Sequence, residues 1–211
     1  MYNKFIIFSD FDGTITNTDI LDNIIVNLYS YEKYKEVENE LLMDKLKYED
    51  YLYLMFNNIK YDLSNISKKL VDDTFLNFYN WIINNNIEFY IISSGFKSII
   101  EYMLPYVDKN NIYGNDININ ENNEWKIKLY DEQNNCSINK NHIIKKHYDI
   151  NKKTIFIGDG LSDFKVIGNV DYLFCKRNSL LHNKCINENY DYIIFDNFTD
   201  VLTKIKKLNN N

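Results

Sequence analysis

The 211-residue chain has no alanine, one proline (Pro105) and one arginine (Arg177). The missing alanine accompanies an abundance of Asn, Ile, Lys and Tyr, which marks a coding bias such as an AT-rich genome and carries no functional information. Cysteine is scarce: Cys136, Cys175 and Cys185 are odd in number and lack metal-ligand spacing. That excludes a zinc-finger pattern or a disulfide framework, and a reduced, intracellular setting is expected. Positive charge is also short. Lys and Arg total 24 against 30 Asp and Glu, a net charge of −6, and no basic stripe carries interleaved aromatics. A nucleic-acid binder is therefore not expected, and Lys204 to Lys207 read as the solvated end of a helix. No apolar run approaches the roughly 20 residues of a membrane span. The first apolar run is short and leads straight into an acidic motif, so no signal peptide is visible and a cytoplasmic location is expected. The Asn clusters Asn84–Asn86, Asn118–Asn123 and Asn209–Asn211 read as loops and a frayed end.

Against these absences, 45% of residues are hydrophobic and 16% aromatic, enough for a sizeable core. The pivotal stretch is Asp10-Phe11-Asp12-Gly13-Thr14. It follows Lys4-Phe5-Ile6-Ile7-Phe8-Ser9, a mostly apolar run of the kind that forms a strand buried on both faces. Asp10 and Asp12 stand two apart, so in an extended segment they share a side. Like charges there repel unless a cation or a proton offsets them. A calcium loop is excluded, because no acidic residue closes a twelve-residue stretch from Asp10.

Residues 17 to about 72 read as a helical insert with no strand. Ile20, Leu21, Ile24, Ile25 and Leu28 define a first helix, and Val37, Leu41 and Leu42 a second. Tyr48, Tyr51, Leu52, Met55 and Ile59 define a third, and Leu63, Ile66 and Leu70 a fourth. Beyond the insert, helices alternate with buried runs at Phe89–Ile92, Thr154–Ile157, Tyr172–Cys175 and Tyr192–Phe195. A hairpin is expected around Asn122-Asn123. Alternation of this kind predicts an α/β fold, a parallel sheet with right-handed crossovers. The expected division is a core of residues 1–16 and 73–211 with a helical cap of 17–72.

Three buried strands end in polar, glycine-containing turns: Asp10–Thr14, Ser93–Gly95 and Gly158–Asp163. In a parallel sheet such ends share the edge where ligands bind. They assemble four carboxylates (Asp10, Asp12, Asp159, Asp163), the Ser93 hydroxyl and backbone N–H groups at helix starts. Lys140 can add a positive charge. Hard oxygens suit Mg²⁺, and the set fits phosphoryl chemistry in which a carboxylate attacks. Each piece has an ordinary alternative. Ser93, Asp159 and Asp163 are acceptable helix caps, and Lys140 is one of many lysines.

Taken in order, D-F-D-G-T, S-S-G after a second strand, a lysine, and G-D-G-x-S-D resemble the motifs of the haloacid dehalogenase (HAD) superfamily of phosphatases. The resemblance covers essentially the whole chain and implies a HAD-like Rossmannoid core. The helical insert after the first motif looks like the cap of the phosphoserine-phosphatase-like branch. Leu173-Phe174-Cys175-Lys176-Arg177 with Leu180-Leu181, and Asp-Gly-Thr-Ile-Thr-Asn, are similar to the methylthio-ketopentenyl-phosphate phosphatases of methionine salvage. The resemblance implies roles. Asp10 is the nucleophile that becomes an aspartyl phosphate, and Asp12 the general acid and then base. Ser93 and the Ser94 N–H hold phosphate oxygens, and Lys140 offsets charge. Asp159 ligates Mg²⁺ with Asp10 and the Asp12 carbonyl, and Asp163 completes or supports that site. Ser162 and Ser94 depart from the commoner Asn and Gly of relatives.

The expected activity is hydrolysis of a small phosphorylated metabolite. A phosphotransferase with the same residues, and a non-catalytic metal- or partner-binding relic, stand as alternatives. A dehalogenase does not, because it has no use for Asp12. Phosphoserine is not the expected best substrate. Asp19 stands where phosphoserine phosphatases carry the cap glutamate that holds the ammonium, but no arginine lies in the insert to grip the carboxylate.

Overall fold

The structure is a computed structural model that describes residues 4–43 and 45–210. The chain forms two compact units: Met1–Asn17, Lys69–Ile92 and Asn139–Asn211, and Thr18–Lys68 with Ser93–Ile138.

The first unit is a parallel sheet. β1 (Phe5–Ser9) is buried along its whole length, as its unbroken apolar run requires. It pairs in parallel with β2 (Glu88–Phe96) on one side and β5 (Lys153–Gly158) on the other, in a register that sets Ser9 level with both Ile91 and Ile157. β6 (Tyr172–Lys176) pairs with β5, and β7 (Ile193–Phe195) with β6. Helices α4 (Phe75–Asn84), α6 (Lys140–Lys146), α7 (Leu180–Glu188) and α8 (Phe198–Asn210) belong to this unit. An aromatic cluster joins α4, α8 and β2. Phe198 lies 4.9 Å from Phe75 and 5.1 Å from Phe78, and Phe78 lies 6.0 Å from Phe89, all ring centroid distances. Such pairs add about 0.5–1.5 kcal/mol each beyond the area they bury.

The second unit holds α1 (Ile20–Leu28), α2 (Tyr31–Leu42), α3 (Tyr48–Phe56), α5 (Lys97–Met103), and the antiparallel pair β3 (Ile112–Ile119) and β4 (Trp125–Lys128). Asp19 and Ser30 cap α1 and α2 by accepting the N–H groups of Asp22 and Lys33. β2 passes from one unit into the other, and the strand order within the first unit is β2-β1-β5-β6-β7. Among the described residues no helix is long and apolar enough to cross a membrane.

The structure departs from expectation in four places. Leu63–Leu70 does not form a fourth α-helix but two short 3-10 turns, Leu63–Asn65 and Lys68–Leu70. Ser93-Ser94-Gly95 is not a turn, since β2 runs through it to Phe96. Residues 93–138 group with the insert and not with 73–92. The cause is the hairpin: Asn58 N–H donates to Trp125 O at 2.8 Å, Trp125 N–H to Ile59 O at 2.9 Å, and the Trp125 indole to Tyr61 O at 2.8 Å. Finally, Asn209 and Asn210 continue α8 where the sequence suggests a frayed end, while Asn211 lies outside the described residues.

Candidate active site

β1 does not stop at its last apolar residue. The Asp10 N–H donates to Ile157 O at 2.8 Å, which carries the ladder one residue further and sets Asp10 at the carboxyl edge of the sheet. The chain then winds tightly. Phe11 O accepts the N–H groups of Thr14, Ile15 and Thr16 at 3.2, 2.9 and 3.0 Å. Gly13 makes the turn with φ +74°, and a Cβ there would sit 2.9 Å from the Asp159 carboxyl carbon. Glycine is thus required twice over, for its backbone and for the carboxylate packed against it. Thr14 Oγ1 donates to Asp159 Oδ1 at 2.5 Å, so the first and last motifs are joined directly. Asp12 lies in the same turn, half-buried.

Lys140 is the first residue of α6, and Asn139 caps that helix. Its side chain is only 5% exposed. A lysine is buried to this degree only with partners, and Nζ donates to Asp10 Oδ1 at 2.8 Å and Asp163 Oδ1 at 2.5 Å. Asp163 is fully buried, and its other oxygen accepts the N–H groups of Asp159 and Gly160 at 3.0 and 2.9 Å. A Cβ on Gly158 would lie 2.5 Å from that oxygen, so this glycine makes room for the carboxylate. Asp163 therefore both braces the β5 turn and orients Lys140.

The cluster is short of positive charge. Oxygens of Asp10, Asp159 and Asp163 lie within 4.8 Å of one another, with Lys140 among them. Burial, then repulsion from Asp163, then from Asp159, holds the Asp10 carboxyl well above the usual carboxylate range, and Lys140 only partly offsets this. Burial likewise pushes Asp159 up to about 6, with Asp163 adding to the rise and the Thr14 hydroxyl, Lys176 and Lys140 opposing it. Burial pulls Lys140 down, but Asp10 and Asp163 outweigh it and hold the ammonium above its ordinary value. Carboxylates raised in this way relax when a cation joins them. A hard-oxygen donor set with excess negative charge fits Mg²⁺.

A pH dependence follows. Asp159 binds its proton more tightly folded than unfolded, so without a cation its ionisation costs stability as pH rises through about 6. Mg²⁺ held at this cluster would relieve that cost only where the carboxylate is ionised. The rise in Tm produced by Mg²⁺ is expected to be larger at pH 7.5 than at pH 5, as measured by thermal unfolding with and without chelator.

The structure brings Asp10, Lys140, Asp159 and Asp163 together, with Asp12 in the adjoining turn. Ser93, Ser94 and Asp19 belong to the second unit. Ser93 is buried, and its hydroxyl accepts the Gly95 N–H at 2.9 Å. The Ser94 carbonyl accepts from Asn115 Nδ2 at 2.7 Å and from the Tyr48 hydroxyl at 3.1 Å. Asp19 is exposed at the start of α1. Arg177 is also exposed and forms a two-pronged pair with Asp196, at 2.6 and 3.1 Å. Lys176, the last residue of β6, stands in the sequence only within the Leu173–Arg177 run, with no role of its own. Its Nζ donates to Gly13 O at 2.7 Å and lies 3.4 Å from Thr16 O. Its sequence position gives no signal of this, because the contact depends on β6 lying next to β5.

Comparison with known proteins bears on these motifs. Residues 7–167 match the haloacid dehalogenase-like hydrolase family. The chain belongs to that family. It is a HAD hydrolase of the phosphatase kind. It is 30% identical over 215 residues to a 2-hydroxy-3-keto-5-methylthiopentenyl-1-phosphate phosphatase of Bacillus cereus (strain AH187), covering 96% of each protein. Among solved structures, a phosphoserine phosphohydrolase-like protein of Francisella tularensis superposes with a TM-score of 0.74 at 21% identity, over 95% of this chain and 99% of that one. A phosphoserine phosphatase held as a phospho-aspartyl intermediate analogue gives a TM-score of 0.69 at 16% identity, over 97% and 98%. At those identities the two structures speak for the fold.

Proposed function

We propose that this HAD hydrolase is a Mg²⁺-dependent phosphatase that hydrolyses a small phosphorylated metabolite through an aspartyl phosphate on Asp10. The observation that carries the reading is the buried Lys140 ammonium gripping Asp10 beside Asp159 and Asp163. In this reading an Asp10 oxygen attacks phosphorus while the P–O bond to the leaving group breaks. Asp12 gives its proton to the departing alkoxide and then takes one from the water that attacks the phosphoenzyme. Inorganic phosphate leaves and Asp10 is restored. Lys140 keeps Asp10 oriented and offsets charge on the phosphoryl oxygens. Asp10 and Asp159 would hold Mg²⁺, with the Asp12 carbonyl, and Asp163 would support them through Lys140 and the β5 turn. The ion supplies positive charge to the phosphoryl oxygens in the transition state. Ser93 and the Ser94 N–H are assigned to phosphate binding by their motif, and Asp19 to substrate binding by its place after the first motif. A cytoplasmic setting accords with the free cysteines.

The relatives' name makes a methylthio-ketopentenyl phosphate the first substrate to test. The pairing of Arg177 with Asp196 supports the expectation that phosphoserine is a poor substrate, since the chain's one arginine is already engaged by a carboxylate. Phosphate release from a panel of metabolite monoesters with Mg²⁺ tests both points. Release abolished by chelator and restored by Mg²⁺ is expected, with phosphoserine below the methylthio substrate in kcat/KM. A tenfold lead for phosphoserine, about 1.4 kcal/mol of transition-state preference, would refute the substrate argument.

A further inference from the structure

Lys176 is a charged side chain spent on backbone carbonyls. Its ammonium is drawn in to meet Gly13 O at 2.7 Å, with Thr16 O at 3.4 Å. Those carbonyls lie on either side of Thr14, which donates to Asp159. Burial lowers the Lys176 pKa, and attraction to Asp159 and then to Asp72 opposes the fall. Asp72 is itself buried, and its N–H donates to Ile15 O at 2.9 Å. Lys176 is held from behind by the sheet: Cys175 lies level with Gly158, and Lys176 with Phe195. A rigid strand end therefore grips the turn of residues 11–16, in which Asp12 sits one residue from the bonded Gly13 carbonyl.

We infer that Lys176 is a positioning residue for acid–base catalysis: by holding the Gly13 and Thr16 carbonyls it fixes where the Asp12 carboxyl meets the leaving group. This rests on the reading of Asp12 given above. Small misplacement of a proton donor costs rate without abolishing binding, on the order of 10- to 100-fold. The cost falls on substrates that need the proton. An alkyl phosphate expels a strongly basic alkoxide and needs it, whereas p-nitrophenyl phosphate expels a weakly basic phenolate and needs it little.

The test is the ratio of kcat/KM for an alkyl monoester to that for p-nitrophenyl phosphate, in the Mg²⁺-loaded enzyme. Lys176→Met is expected to lower this ratio by about tenfold or more through kcat, with KM little changed. Lys176→Arg, which restores donors to the carbonyls, is expected to recover most of the loss. A merely structural role would lower both activities together and leave the ratio alone, and that result overturns the inference. If Lys176→Met does not fold, Lys176→Ser, whose polar side chain is too short to reach the two carbonyls, takes its place: a lowered ratio supports the inference and an unmoved ratio overturns it. Asp12→Asn measured alongside separates the failures. If it leaves the ratio unmoved, the role of Asp12 is wrong and the inference falls with it. If it moves the ratio and the Lys176 variants do not, the inference about Lys176 alone is refuted.

Discussion

Asp10→Asn is expected to abolish phosphate release while leaving the protein at least as stable as before. An amide neither attacks phosphorus nor carries the charge that Lys140 and a cation orient. Single members of a catalytic unit removed in this way cost at least about 10⁴-fold. Stability moves the other way. Burial and the neighbouring carboxylates raise the Asp10 pKa well above the ordinary range, so at neutral pH its ionised form burdens the folded state without metal. Asn is nearly the same shape and removes that burden, and Lys140 keeps its bond to Asp163. Turnover below detection with an unchanged or raised Tm in chelator is the expected pair of results. Residual activity above roughly a thousandth of wild type would contradict the assignment.

Lys140→Met should be damaging in both respects. The ammonium is 5% exposed and its partners 10% and 0%. Removing one partner from a buried ionic group typically costs about 3–5 kcal/mol, because the charge left behind has no compensation. Here two carboxylates are left. Turnover should fall severely as well, since in the proposed mechanism Lys140 offsets charge on the phosphoryl group. The pH dependence gives the loss a signature. Without Lys140 the folded-state pKa of Asp10 rises further, because Lys140 is what pulls it down. Stability lost to its ionisation is regained as pH falls and the carboxyl protonates. The deficit in urea unfolding relative to wild type should therefore shrink as pH falls through the range where Asp10 protonates. A deficit that does not change anywhere along the pH titration would show that packing, not charge, is what the substitution removes.

The acidic half of this site is legible in the sequence because strand physics announces it. Ile6-Ile7-Phe8 and Ile155-Phe156-Ile157 are continuous apolar runs, since both strands are covered on both faces, and the polar residues after them mark the sheet edge. Lys140 is legible only from motif order. Nothing local separates it from the chain's other lysines, and its burial is set by Asp163, 23 residues away. The steric demands on Gly13 and Gly158 are invisible for the same reason: each arises from a carboxylate that arrives from elsewhere in the fold. Ser93-Ser94-Gly95 misleads because small polar residues usually end strands. Here Gly114, on β3, allows close approach, a Cβ on it lying 3.2 Å from Gly95 O, and Asn115 and Tyr48 both donate to the Ser94 carbonyl. Leu63, Ile66 and Leu70 mimic helical spacing, but none of the three belongs to an α-helix: two lie in the 3-10 turns and Ile66 closes the first. Spacing alone does not distinguish two separate turns from one continuous helix.

The central claim is covalent catalysis by Asp10, and its most direct test is to find the phosphate. Asp12→Asn should slow hydrolysis of the phosphoenzyme more than its formation from p-nitrophenyl phosphate, because the second step needs a base to activate water. That variant, mixed with p-nitrophenyl phosphate and Mg²⁺, quenched in acid and mapped by mass spectrometry, should carry one phosphoryl group on the peptide containing Asp10, removable by hydroxylamine and absent when Asp10 is also Asn. Phosphate on any other residue, or p-nitrophenol release with no phosphopeptide at any quench time, would contradict the account.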